Sequence, residues 1–428
     1  MSLSNIHNAR STTVLGKELV DRIDAAGDEL AAITQTLVRL PSESPVSDTC
    51  LTVKKIIELL DDQQDIATDV YVNQPPIENL VAKVCSGKPG KRLILNGHLD
   101  TYSAGDRNAW HLDPFSGTIE GDRIYGRGAA DMKGGVACQI YAFNTLAQMR
   151  DCWSGEICLV LAGDEETMGI KGSKYLIDNV EDAVGDAVLI ADVGSPLVPR
   201  IGEKGMIWID IFSKGRPAHG AHVHRGKNAI DLLRRAMDSL AKLSSYPINA
   251  PDEVTRTIQS AQSTSEPLGG SGEAKVLQEL TVNFGRIQGG ETANLVPDWA
   301  EVNADIRLPM GVSVSDIKDE IHRILDPIDD IEFKITREYE PSWTSPDDPI
   351  VAATLDACSA LLDREPRVNM RVGASDARLY RAAGIPTVVC GLSPNNLGGP
   401  NEFAEISELK TITKINVLTA LKYLSPNS

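Results

Sequence analysis

The sequence predicts an α/β protein: a mainly parallel sheet with helices on both faces, interrupted by an inserted α+β domain. Three observations predict it. Between Val81 and Asp192, apolar runs of strand length alternate with helical segments, the pattern of a parallel sheet covered on both sides. After Asp192 the texture changes, and Trp299 to Arg307 alternates cleanly with Ala300, Val302, Ala304 and Ile306 on one face, so one face of that strand is wet. From Pro349 the first pattern resumes. The boundaries drawn are residues 1–200, an insertion over 201–339, and a return over 340–428.

Taken in order, Leu19 to Leu40 carries Ala26, Leu30, Ile33, Leu37 and Leu40 at steps of three and four, an amphipathic helix stopped by Pro41. A second helix is expected from an N-cap at Asp48 or Thr49, burying Val53, Ile56, Ile57 and Leu60. In the insertion, Met206–Ser213 and Thr281–Gln288 read as strands, and 228–244 and 315–325 as helices. The Ser- and Gly-rich stretch from Gln262 to Glu273 reads as a mobile loop, and Glu340–Asp348, with prolines near each end, as a linker. The final part should hold helices over 349–362 and 375–383, a strand at Thr387–Cys390 and a last helix from Ser407.

A chain of 428 residues favours two domains, and 42% hydrophobic residues can fill both cores. No apolar run reaches the roughly 18 residues of a membrane span, and Met1–Thr13 lacks the apolar core of an export signal. The formal charge of −18 would repel nucleic acid and anionic membranes, so neither is an expected partner. Seven cysteines without Cys-x-x-Cys spacing, among them Cys138, Cys158 and Cys390 in apolar surroundings, read as free thiols in a reducing cytoplasm.

The chemistry gathers at strand exits. Leu93-Ile94-Leu95-Asn96-Gly97 ends in His98, Leu99 and Asp100, where Asp100 could hold the His98 imidazole in one orientation. Gly126-Arg127-Gly128-Ala129-Ala130-Asp131-Met132-Lys133-Gly134-Gly135 is a glycine-rich turn that delivers Asp131. Cys158–Gly163 ends in Asp164, Glu165 and Glu166, and Val188–Ala191 ends in Asp192. Acids crowded at one sheet edge repel each other unless a cation sits among them, and that edge is where open α/β sheets bind ligands. A divalent metal is the inference.

These motifs resemble a metallopeptidase and amidohydrolase family that includes carboxypeptidase G, succinyl-diaminopimelate desuccinylase, acetylornithine deacetylase and the aminoacylases. The His-x-Asp, Gly-x-x-Asp-x-Lys-Gly-Gly, Glu-Glu and later Asp motifs occur in the family's order. Gly215–Gly220 with Asn228-Ala229-Ile230, then Asn294, Pro297 and Asp305-Ile306-Arg307, resemble its lid motifs, so the likeness runs from about Leu30 onward. It implies a catalytic domain carrying an inserted lid and dimerisation domain, hence a homo-oligomer. It also implies two metals sharing Asp131, one held with His98 and Asp192, the other with Glu166 and a late histidine. Glu165 would be the general base, Asp100 the orienting acid, and His219 a lid histidine that crosses into a neighbouring subunit. Arg307 and Asn294 would grip a substrate carboxylate.

One position departs from the pattern. Four residues before Glu402, where relatives carry the late histidine, this chain has Gly398, and no histidine follows His322. One well-held ion per subunit (manganese, zinc or cobalt) is therefore expected, with the second position empty or weak. His111, Asn395 or Asn396 could substitute, or the metal could be lost altogether. The expected reaction is metal-dependent hydrolysis of a C–N bond in a small anionic molecule. The bond is either the amide of an N-acyl amino acid or peptide, or an aromatic amine on an electron-poor ring. A non-catalytic binding protein on the same scaffold is disfavoured by the retention of Glu165 and three complete ligands.

Overall fold

A computed structural model describes residues 16–60 and 66–425, so Met1–Thr13 lies outside the described residues. The chain divides into two compact units: Met1–Ile201 with Thr344–Asn369 and Ser375–Ser428, and Gly202–Trp343 with Met370–Ala374.

In the first unit, strands are ordered Ala67–Gln74, Ile77–Cys85, Glu156–Ala162, Arg92–His98, Ala187–Ile190 and Thr387–Val389 across one sheet. The central pairings are parallel, and the Ala67–Gln74 and Ile77–Cys85 strands pair antiparallel at one side. Leu93, Ile94, Leu95, Leu159 and Leu189 are fully buried, as a sheet covered on both faces requires. Each such side chain contributes roughly 1.5–3 kcal/mol on burial. Register sets the site: His98 lies opposite Ala162 and Asn96 opposite Ile190, so three neighbouring strands end together.

Helical residues 16–25 break at Ala26 before the Gly27–Val38 helix, so the long amphipathic segment is two helices. Cys50–Leu60 follows, with the Cys50 N–H donating to Asp48 Oδ1 at 3.2 Å; Val53, Ile56 and Leu60 are buried, while Ile57 is only half-buried. The Gly134–Gln148 helix packs its first turn against a strand end: a Cβ on Gly135 would meet Ala191 O at 2.1 Å. Only glycine allows that approach, and it brings the helix down beside Asp192. All seven cysteines are unbridged, with Cys138, Cys158, Cys358 and Cys390 buried.

In the second unit, antiparallel strands run in the order Thr281–Gly289, Trp299–Leu308, Gly205–Lys214, Ile331–Tyr339. Ile207, Ile209, Ile211, Val302 and Ile306 form a core with Leu233 and Leu240 of the Ala229–Leu240 helix and Ile317 and Ile321 of Val314–Leu325. The expected mobile loop at Gln262–Glu273 is wrong over most of its length, because a helix spans Asp252–Gly269. Val254, Ile258 and Ala261 recur on its buried face, and Thr257 satisfies its hydroxyl on the Glu253 carbonyl at 2.7 Å. That spacing outweighs the low helix propensity of the serines.

Candidate active site

His98 ends its strand buried. Its Nδ1 faces the main-chain carbonyl of Asp100 at 2.9 Å and its Nε2 faces Asp131 Oδ1 at 3.0 Å. The Asp100 carboxylate is farther from the ring, with Oδ1 at 3.6 Å from Nδ1. Asp100 therefore orients His98 chiefly through its backbone, and its carboxylate has other work. It accepts from Ser44 Oγ at 3.1 Å, Glu165 N at 3.0 Å and Glu166 N at 3.2 Å.

Asp131 sits in the irregular turn Ala129–Lys133 that precedes the helix. Glu402 Oε1 accepts from the Ala130 and Asp131 N–H groups at 3.0 and 3.1 Å, and Glu402 pairs with the buried Arg127 guanidinium. Arg127 Nη2 also donates to the Gly398 and Gly399 carbonyls at 3.0 and 3.1 Å. The Gly398 carbonyl is thus already engaged.

Of the three acids at the next strand exit, Asp164 shapes the turn, accepting from Lys171 N at 2.7 Å and from the Thr167 hydroxyl. Glu165 and Glu166 follow it on the same turn. Among the described residues, one group of His, Cys, Asp or Glu side chains brings three ligand atoms within 4.8 Å of one another: His98, Asp131 and Glu166. Neither Asp192 nor His111 joins that group. Asp192 is buried and Oδ1 accepts its neighbour Val193 N–H at 2.5 Å, while its charge bears on Glu165. His111 is exposed.

Electrostatics mark the cluster as short of positive charge. Burial opposes a charged His98 imidazole, but the hydrogen bond and charge of Asp131, with Glu165 and Asp100 behind, hold it well above its usual range. Glu166 is pushed up to about 10 by burial and by the Asp131 and Glu165 carboxylates. Burial likewise drives Glu165 well above the usual carboxylate range, with Asp376 and Asp192 adding to it. Glu166 Oε1 is buried without a hydrogen-bond partner. An orphaned carboxylate oxygen beside an imidazole nitrogen and a second carboxylate is a donor set that suits a divalent transition ion.

Sequence reasoning missed Asp376 and Arg378, which it placed only on a helix. Asp376 accepts from Ser173 Oγ at 2.6 Å, and Arg378 donates to the Met168 carbonyl at 2.7 Å at the end of the Glu165–Thr167 turn. The signal was an acid and a base two residues apart, Asp376 and Arg378, in Gly373-Ala374-Ser375-Asp376-Ala377-Arg378.

In the second unit, His219 and Asn294 come together: the Ala218–His219 and Leu295–Val296 strands pair, and Gly220 N donates to Asn294 O at 2.6 Å. His219 is exposed. Arg307 points off the apolar face, its Nε 2.8 Å from Asp305 and its Nη1 donating to the Tyr339 hydroxyl at 3.0 Å.

Residues 94–422 match a family model described as Peptidase family M20/M25/M40. Succinyl-diaminopimelate desuccinylase of Methylorubrum extorquens is 28% identical over 408 residues, 90% of this chain and 96% of that protein. Among solved structures, an M20 family metallo-carboxypeptidase from Sulfolobus solfataricus superposes with a TM-score of 0.77 at 19% identity, covering 92% of this chain and 99% of its own. Human carnosine dipeptidase 1 gives a TM-score of 0.72 at 18% identity, covering 96% and 99%.

Proposed function

Since the chain belongs to peptidase family M20/M25/M40, metal-dependent hydrolases acting on C–N bonds, we propose that it hydrolyses such a bond in a small carboxylate-bearing molecule, with Glu165 taking a proton from water. The observation that carries this is the pairing of adjacent acids, Glu165 beside Glu166, against the His98 and Asp131 side chains. His98, Asp131 and Glu166, with Asp192, would hold a divalent ion such as manganese, zinc or cobalt, which when bound would supply the positive charge to polarise the substrate and acidify water. Asp100 fixes the turn bearing both glutamates. His219, acting in a neighbouring copy through a lid-mediated dimer, and Arg307 with Asn294 complete the scheme by stabilising developing charge and holding the substrate carboxylate. Seven unbridged cysteines, four of them buried, suit a reducing cytoplasmic setting.

Two substrates divide the finer proposal. The glycine at 398 favours 5-nitroanthranilate, in which water adds to the ring carbon, ammonia leaves, and the nitro group accepts the developing charge without help from a second ion. The curated relatives favour an N-acyl amino acid, in which water and the amide give a carboxylate and an amine. Incubating the manganese-loaded protein with each, and following ammonia from the first and free amine from the second, separates them. Turnover of neither would overturn both.

A further inference from the structure

The turn that carries Glu165 and Glu166 ends on a strained residue. Met168 adopts φ +87° and ψ +18°, a left-handed conformation that an L-side chain enters only at a cost, and Gly169 follows it at φ +70°. Strain of this kind persists where the surroundings over-determine it. Within the turn, Glu165 O accepts the Met168 N–H at 2.8 Å and Asp164 O accepts the Gly169 N–H at 2.7 Å. The Met168 carbonyl takes no part in these bonds. It accepts from Arg378 Nη2 at 2.7 Å, across 210 positions of the chain.

Arg378 is 4% exposed, and its other arm, Nη1, donates to the Ser375 carbonyl at 2.6 Å. A guanidinium buried to this degree, with both arms on main-chain carbonyls, grips the fold rather than a ligand. Two contacts from the same loop fix where that grip falls. Asp376 accepts from Ser173 Oγ at 2.6 Å, at the start of the Ser173–Asn179 helix, and a Cβ on Gly169 would meet Asp376 Oδ1 at 2.6 Å. Residues 375–378 are thus seated directly against residues 168–173, all within the first unit. At its other end the glutamate turn hangs on Asp100.

We propose that Arg378 is a positioning residue for the reaction, clamping the Met168 carbonyl so that the strained end of the turn keeps Glu165 and Glu166 in their working places. Asp100 secures the front of the turn and Arg378 the back. A reacting group misplaced by about 1 Å can lose about 10²-fold in rate, so a clamp that touches no substrate still acts on turnover. Glycine enters the left-handed region about as readily as the right-handed one, so Met168→Gly should let the turn keep its shape with less help from the clamp. This rests on the hydrolase reading above.

Wild type, Arg378→Ala, Met168→Gly and the double variant are compared as full chains with saturating manganese. With whichever substrate turns over, Arg378→Ala should lose about 10²-fold in kcat while KM stays within a few-fold. Its manganese affinity, read by titration calorimetry, should fall by roughly 10-fold or more, because Glu166 rides on the same turn. Met168→Gly alone should stay near wild type, and the double variant should regain about 10-fold of the lost kcat together with lost affinity. An arginine that only stabilised the fold would leave kcat per folded chain and manganese affinity near wild type, and one that held the substrate would raise KM instead. Either result, or a double variant no better than Arg378→Ala, overturns the proposal. Should Arg378→Ala fail to fold, Arg378→Lys, which can keep one carbonyl contact of the two, takes its place with an expected loss of about 10-fold, again recovered by Met168→Gly. Failure of the hydrolase reading shows separately, as full activity in Glu165→Gln, and the manganese affinities then judge the clamp by themselves.

Discussion

The Asp100 carboxylate accepts the main-chain N–H of Glu165 at 3.0 Å, tying the exit of the His98 strand to the turn that carries both glutamates. Through its other oxygen it accepts from Glu166 N, Ser44 Oγ and Ser47 Oγ. Every hydrogen bond Asp100 makes there is as an acceptor. Asparagine at this position would turn an amide N–H₂ toward a donor and leave one buried N–H unanswered. Asp100→Asn is therefore expected to weaken manganese affinity by roughly 10- to 100-fold, the usual cost of losing a group that orients ligands, measured by titration calorimetry. Wild-type affinity in the variant would remove Asp100 from its supporting role.

Arg127 and Glu402 form a buried pair on which both the Asp131 turn and the Gly398 loop depend. Removing one partner strands the other's charge in the interior. Arg127→Ala should cost about 3–5 kcal/mol of stability, read by denaturant unfolding. A loss below about 1 kcal/mol would mean that the pair is solvated in solution.

Acid dependence follows from the raised carboxylates. Glu166 has a folded value of about 10 against an ordinary 4.5, so above pH 4.5 the folded state holds protons that the unfolded state has released. Stability of the metal-stripped protein then falls as pH rises. Glu165, Asp100 and Asp376, all raised by burial, act in the same direction, and so does His98, whose raised value retains a proton in the folded state. Lys133, lowered by burial to about 7, runs the other way only above that pH. Between pH 5 and 7 the melting temperature of stripped protein should decline, and manganese should raise it by a margin that widens with pH, because ion and protons compete for the same oxygens. A margin independent of pH would contradict the assignment of Glu166 as a ligand.

Glu165→Gln keeps the shape of the turn and removes the base. Turnover should fall by about 10²- to 10⁴-fold with manganese content unchanged. A variant as active as the wild type would exclude Glu165 from proton transfer.

Much of this protein was legible in local pattern. Apolar runs ending in His98, Glu165–Glu166 and Asp192 marked one sheet edge, and the alternation of Trp299–Leu308 marked a sheet with one wet face, because strand burial repeats along the chain itself. Even locally the pattern misled at 262–269, where serines masked a helix whose buried positions are widely spaced.

What only the tertiary structure decided lies between residues far apart in the chain. Arg127 finds Glu402 across 275 positions, and Ser173 finds Asp376 across 203. Such contacts leave no period or spacing to read, since they arise where separate loops converge above the sheet. The amino-acid order determined which groups could meet at the strand ends. Packing decided that Asp100 would brace the glutamate turn.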